Sequence, residues 1–206
     1  GKGAAPVAAA AVGPTFQEEG EASEEGKASA AGSEESRAVV ESIRREEFGV
    51  GLEVPPDVAA VLGRQNQRMR RALQRLSLEL YASDVHVLFE LLQNCDDCNF
   101  PGGAVPTMAL ALSPGGLAMG CNESGFTGRD VRALCDVGNS SKAGKDGEGG
   151  LQTGEKGIGF KSVFAVSDQP TVSSAGFHFK FDANHPSGLG LVLPEWVGGG
   201  AMDGPS

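Results

Sequence analysis

Glu90 and Asn94 stand four residues apart in Leu88-Phe89-Glu90-Leu91-Leu92-Gln93-Asn94, with Asp97 three residues further on. On a helix that spacing puts all three side chains on one narrow stripe. A carboxylate that can activate water, one turn from an amide oxygen that can ligate magnesium, suits phosphoryl chemistry. The second candidate is Gly154-Glu155-Lys156-Gly157-Ile158-Gly159-Phe160-Lys161-Ser162-Val163-Phe164. Its glycines leave backbone N–H groups uncovered ahead of a predicted helix over 160–166, and Lys156 and Lys161 add positive charge. Unpaired N–H groups at a helix start favour an anion such as phosphate. Two known phosphate loops are excluded. A P-loop needs Gly-Lys-Ser/Thr, and Phe160 separates Gly159 from Lys161. A dinucleotide loop needs a preceding strand, and nothing strand-like precedes Gly154. Each candidate also has a plain structural reading. Hydrogen bonds inside the fold can satisfy the stripe, and glycine runs are often ordinary loops.

The stripe lies on a predicted helix over 85–98, capped by Ser83-Asp84. Val85, Val87, Leu88, Phe89, Leu91 and Leu92 make most of its circumference apolar, which predicts burial nearly all round, with His86 bordering the stripe. A longer helix precedes it over 57–81, capped by Asp57, with Met69, Leu73, Leu76 and Leu80 as its packed face. Arg64, Arg68, Arg71 and Arg75 follow on a neighbouring face. They read as a solvated face beside a packed one, the alternative being a docking stripe for an acidic partner or phosphate. Val39, Val40, Ile43 and Phe48 predict a short amphipathic helix over 37–48, and Pro55-Pro56 an extended approach to the next. Downstream, strands at 108–112 and 117–121 form a hairpin around Pro114-Gly115-Gly116. A helix follows, capped by Thr127 with Asp130 at the capping-box position, burying Val131, Leu134 and Val137. Residues 138–153, rich in Gly, Ser and Lys, are either disordered or a functional lid. Strands are expected at 170–174, 177–182 and 189–193, with Phe177, Phe179 and Phe181 inward and His178 and Lys180 outward.

The 206 residues carry a net charge of −10, which argues against a general nucleic-acid or anionic-membrane binder. Residues 1–36 hold seven glutamates against Lys2 and Lys27, whereas residues 122–165 balance six acids with six bases. A polyanion would therefore meet a locally neutral region. The first 36 residues are Ala, Gly, Glu and Ser with few large apolar side chains, and read as a disordered acidic tail. A helical segment over 37–83 and a main domain over 84–206 follow. The chain opens on Gly1 rather than Met, as a fragment or processed piece would. Its longest apolar run, 4–12, is too short to span a membrane. Cys95, Cys98, Cys121 and Cys135 do not repeat a metal-ligand pair, and read as reduced thiols. The expectation is a soluble intracellular chain, with cytoplasm and nucleus not distinguished.

Taken in order, the acid–amide helix, the Gly-Phe turn after a strand and the lidded glycine loop resemble the Bergerat-type ATP-binding fold. That is the fold of the gyrase, heat-shock chaperone, histidine kinase and mismatch-repair (GHKL) superfamily. The finer resemblance is to the Sacsin/Nov-type domain, especially of plant NO VEIN-like proteins. It rests on Ile43-Arg44-Arg45-Glu46-Glu47-Phe48, on the Leu88–Asn94 run with Asp97, and on Asn122-Glu123-x-Gly125-Phe126. Arg132-Ala133-Leu134-Cys135-Asp136-Val137-Gly138 and the glycine motif complete it, over roughly residues 40–196. The resemblance implies ATP and Mg2+ as ligands, with slow hydrolysis and a lid coupled to an unidentified protein partner; a non-hydrolysing nucleotide-binding or protein-interaction module is the alternative. Glu90 would be the general base, Asn94 the magnesium ligand, and Asp97 a support on the nucleotide side. Gly125 would line the adenine pocket. Gly154, Gly157 and Gly159 would present amides to the phosphates, with Lys156 and Lys142 adding charge. The superfamily's adenine-reading Asp falls at Cys121, a poor acceptor, which leaves Asn122 or a water to compensate. The fold implied is α+β, a two-layer α/β sandwich whose mixed, mostly antiparallel sheet has helices on one face. The superfamily's closing strand is not found before Ser206, so the sheet is expected to be incomplete there.

Overall fold

Phe177, Phe179 and Phe181 are all buried, the last two completely. A period of two is what a half-buried strand requires, and β5 (Phe177–Lys180) is that strand. It pairs antiparallel with β4 (Thr171–Ser174) across the two-residue turn Ala175-Gly176. Both turn residues have positive φ, 48° and 85°, the mirror-image turn whose twist matches a tight hairpin. His178 and Lys180 face the other way, as expected, but they are half-buried rather than free in solvent. His178 Nδ1 lies 3.0 Å from Ser173 Oγ, and its ring meets Trp196 edge-on.

In the computed structural model, residues 8–10, 24–80, 84–137 and 159–198 are described. Among these residues six strands form one sheet, in the order Met108–Ser113, Gly116–Cys121, Ala8–Ala10, Thr171–Ser174, Phe177–Lys180 and Glu195–Trp196. β2 (Met108–Ser113) and β3 (Gly116–Cys121) are the expected hairpin. β1 (Ala8–Ala10) sits between β3 and β4, parallel to both, and β6 (Glu195–Trp196) runs antiparallel to β5. The sheet is therefore mixed with antiparallel pairing in the majority, in an α+β chain. The helices are α1 (Glu24–Glu46), which packs on β5 and β6, α2 (Pro56–Leu80), which packs on the 3-10 helix, α3 (Asp84–Asp96), α4 (Gly128–Cys135) and the 3-10 helix itself (Gly159–Ala165). Val40 and Ile43 of α1, Val87 and Leu91 of α3, Val131 of α4 and Val163 share one core with Val172 and the three phenylalanines. The packing thus continues across residue 84.

Several boundaries move. Helix α1 starts at Glu24 rather than 37, because Ala, Glu and Lys are good helix formers. Its added turns have a seat on the β4–β5 turn. A Cβ on Gly176 would come within 3.3 Å of Gly32 O and Ser36 Oγ. The rest of the expected tail, β1 apart, lies outside the described residues. The strand expected over 189–193 is corrected. Val192 N and Leu193 N both donate to Leu189 O, at 2.9 and 2.8 Å, which is a turn. Leu189, Leu191, Val192 and Leu193 instead form a second core with Leu73 of α2. A fully buried apolar run has no alternation to distinguish strand from plug. The expected burial of α3 nearly all round is also corrected. Val87, Leu91 and Cys95, at i, i+4 and i+8, face inward, while Leu88, Phe89 and Leu92 are exposed. Among the described residues no helix is long and apolar enough to cross a membrane.

Phe179 contacts Phe181 ring-to-ring at 5.7 Å and has no exposed surface. Phe179→Ala should therefore cost about 3–5 kcal/mol of unfolding free energy, read from urea denaturation. A loss no larger than that of an exposed-site control would contradict this core.

Candidate functional site

The acid of α3 and the last glycine of the motif meet. A Cβ added at Gly159 would collide with Oε2 of Glu90 and lie 3.4 Å from its Cδ. Having no side chain, Gly159 leaves its backbone open to the carboxylate in this conformation of Glu90. The approach is fixed by packing between α3 and the 3-10 helix, through Val87 and Leu91 on one side and Phe160 and Val163 on the other. Glu90 itself is half-buried, while Asn94 near the end of α3 and Asp97 just past it are exposed. The stripe therefore runs from the core edge outward, rather than lying wholly inside. Lys142, Gly154, Lys156 and Gly157 lie outside the described residues.

The predicted helix after the glycines is present as a seven-residue 3-10 helix. It is short and its first turn is buried, so it offers little of the dipole expected at a long helix start. Lys161 is corrected as a phosphate ligand. Its side chain turns inward, is 3 % exposed, and its Nζ donates to the carbonyl of Leu134 in the last turn of α4. The ammonium also lies 4.7 Å from the centre of the Phe181 ring, a favourable cation–π placement. Burial pushes its pKa down from 10.5 to about 8, partly opposed by the charges of Cys135 and Asp136. Lys161 thus ties the glycine motif to the root of the segment that follows α4.

At the opposite end, the loop after β3 is held by hydrogen bonds. Asn122 accepts from Thr107 N through Oδ1 at 2.8 Å and donates from Nδ2 to Val105 O at 2.9 Å. Its amide braces the 101–107 loop, a structural duty that competes with reading a base. Gly125, with φ of 95°, packs on the β4–β5 turn, where an added Cβ would overlap Ala175. Ser174 joins the two loops by donating to Glu123 Oε1 at 2.8 Å and accepting from Phe126 N at 2.9 Å. Glu123 and Ser174 carried no role in the sequence reading. Glu123 was visible inside the Asn122–Phe126 run, but a partner 51 residues away leaves no local signal.

Cys95 and Cys98 lie beside Cys121 and Glu123 of this loop, whereas Cys135 closes α4 beside Lys161. Burial, then a hydrogen bond and charge from Cys121, push Cys95 up to about 12. Burial followed by the charge of Glu123 raises Cys98 further, and its Sγ donates to Asn94 O at 3.1 Å. Cys135 is raised to about 12 by burial, with Lys161 opposing. All three stay protonated near neutrality, which makes them poor nucleophiles.

Over 160 residues, 78% of the chain, the sequence is 47% identical to Protein NO VEIN of Arabidopsis thaliana. Over 109 residues, 47% of the chain, it is 32% identical to Sacsin of Homo sapiens. The matched segments span 6% and 2% of those proteins' own lengths. No family model and no solved structure matches. The two likenesses support a Sacsin/Nov-type domain.

Because Lys161 has a folded pKa below its unfolded value, its charge is a cost to the fold that is fully present below pH 8. The cost is relieved as pH rises from about 8 towards 10.5, where the unfolded chain still holds the proton. Wild type should therefore gain stability relative to Lys161→Met between pH 7 and pH 10, measured by urea unfolding of both. A difference that stays flat would mean the ammonium is not desolvated.

Proposed function

We propose that this chain binds ATP with magnesium and hydrolyses it slowly, as a Bergerat-type module of the GHKL superfamily. The observation that carries the reading is the contact between the Glu90 carboxylate and the backbone of Gly159. A base for water and the end of a glycine-rich backbone run are the two parts a phosphoryl site must bring together. Glu90 orients the attacking water and takes its proton on a carboxylate oxygen. The water oxygen bonds to the terminal phosphorus as the bond to the bridging oxygen breaks, giving ADP and phosphate. The backbone N–H groups of Gly154, Gly157 and Gly159, with Lys156 and Lys142, neutralise charge on the phosphates. Residues 138–153 act as the lid that excludes water and couples nucleotide state to a protein partner.

The donor set fits magnesium. Asn94 offers a hard amide oxygen at an exposed position one turn from Glu90, and this ion usually takes one or two protein oxygens, completing its shell with phosphates and water. When bound it supplies charge neutralisation between the phosphates. Asp97 supports the nucleotide side of the same helix, and Gly125 lines the base pocket.

A second reading, a nucleotide-binding or protein-interaction module without turnover, is favoured by the other end of the site. Cys121 stands where a carboxylate would read adenine, and the amide of Asn122 is already engaged with Val105 and Thr107.

Titration calorimetry of ATP with and without magnesium, together with phosphate release, separates the two. Glu90→Ala should retain binding and lose about 10²–10⁴-fold in hydrolysis. Equal hydrolysis by mutant and wild type would remove Glu90 as the base. Wild type that binds without turnover would leave the second reading, and no binding at all would end both nucleotide readings.

A further inference from the structure

The first half of helix α2 is written for burial and is exposed. The expected packed face holds at Leu73, which is 4% exposed, but Met69 on the same face is 49% exposed. Upstream, every residue from 51 to 65 is exposed. The helix runs 25 residues, about 37 Å at the standard rise. Among the side chains described, it meets the body near Leu73, in the second core, and near Arg70, whose Cδ lies 3.2 Å from where a Cβ on Gly188 would sit. Among the described residues, its first three turns have exposed side chains throughout. Isolated helical segments of that length are marginal in water.

The projecting part is nevertheless strongly amphipathic. Val58, Val61, Leu62 and Met69 are 40%, 44%, 43% and 49% exposed. At 3.6 residues per turn they fall within an arc of about 100°. Leu52 and Val54, also exposed, extend the apolar surface along the approach to the helix. Arg64, Arg68 and Arg71 are exposed and occupy the adjoining arc of about 60° beside Val61. From Pro56 to Leu80 the helix holds five arginines against Asp57 and Glu79, or +3, in a chain whose net charge is −10. A lone basic rim along an apolar stripe is the complement of a helix with apolar and acidic faces.

We propose that the projecting part of α2 is a docking surface for an acidic amphipathic helix of a partner protein. The partner lays its apolar side chains along Val58, Val61, Leu62 and Met69, and sets carboxylates against Arg64, Arg68 and Arg71. The proposal uses neither Glu90 nor Gly159, so it stands apart from the nucleotide reading.

The test uses the full chain and a labelled helical peptide of about 18 residues, five turns long. Leucines occupy i, i+3, i+4 and i+7 positions and glutamates the remainder, and a control peptide keeps the leucines and replaces glutamate by lysine. Fluorescence anisotropy should show saturable binding of the acidic peptide that weakens with added salt. Arg64→Gln/Arg68→Gln/Arg71→Gln, which alters only exposed side chains, should weaken binding about tenfold or more at unchanged helicity. Val61→Ser/Met69→Ser should weaken it similarly. Equal binding of the lysine peptide, or no saturable binding, would overturn the proposal. So would a concentration-dependent dimer abolished by Val61→Ser/Met69→Ser, which would make a second copy the occupant. Acidic-peptide binding that appears only after removal of residues 1–23 would overturn it as well, by assigning the face to the chain's own acidic N-terminus.

Discussion

A carboxylate oxygen of Glu90 occupies the space in which any side chain at residue 159 would begin. Two segments nearly 70 residues apart are held at that separation by apolar packing, Val87 and Leu91 against Phe160 and Val163. The meeting of the acid with the end of the glycine motif depends on this packing. If α3 rolled by one residue, about 100° of helix rotation, Glu90 would leave Gly159 and an apolar neighbour would replace it. The core therefore does more than stabilise; it sets the angle at which a charged group leaves the helix. The half-burial of Glu90 follows from its place at the edge of that core, and the exposure of Asn94 and Asp97 from their distance along the helix.

Burial sorts the remaining ionisable groups. Lys161 and the thiols of Cys95, Cys98 and Cys135 are all pushed toward their neutral forms, chiefly by loss of water. Lys161 is partly compensated, because a carbonyl, two aromatic rings and nearby acidic groups surround its ammonium. This arrangement converts a residue that looks like a phosphate ligand in sequence into a cap for the final turn of α4. The exposed Arg132–Glu47 pair at 3.1 Å, by contrast, lies in water and contributes little to holding α1 and α4 together.

Much of the fold was readable because its signals are local. The Phe177–Phe181 alternation, the Pro114-Gly115 turn and the bond from Thr127 N to Asp130 Oδ2 at 2.9 Å each depend on residues within a few positions of one another. The pairing of Glu90 with Gly159 was implied by resemblance rather than by spacing, since no periodicity links α3 to the glycine motif. Three things were hidden. The direction of Lys161 depends on where α4 ends. The plug formed by Leu189 to Leu193 depends on Leu73 of a distant helix. The exposure of Phe89 reflects what happens to lie above α3, which composition cannot state.

The bond from Lys161 to Leu134 closes a ring of chain, its ends 27 residues apart in sequence. Once the ends of a loop are pinned by the fold, the entropic penalty for its length grows only logarithmically, by about 0.6 kcal/mol for each doubling. A change in the number of residues between these two ends therefore costs the fold little while the clamp of Lys161 on Leu134 stays the same. In polymer terms the fold has separated the anchor from the contour. An insertion between the two ends thus leaves in place the core of Val87, Leu91, Phe160 and Val163 that sets Glu90 against Gly159.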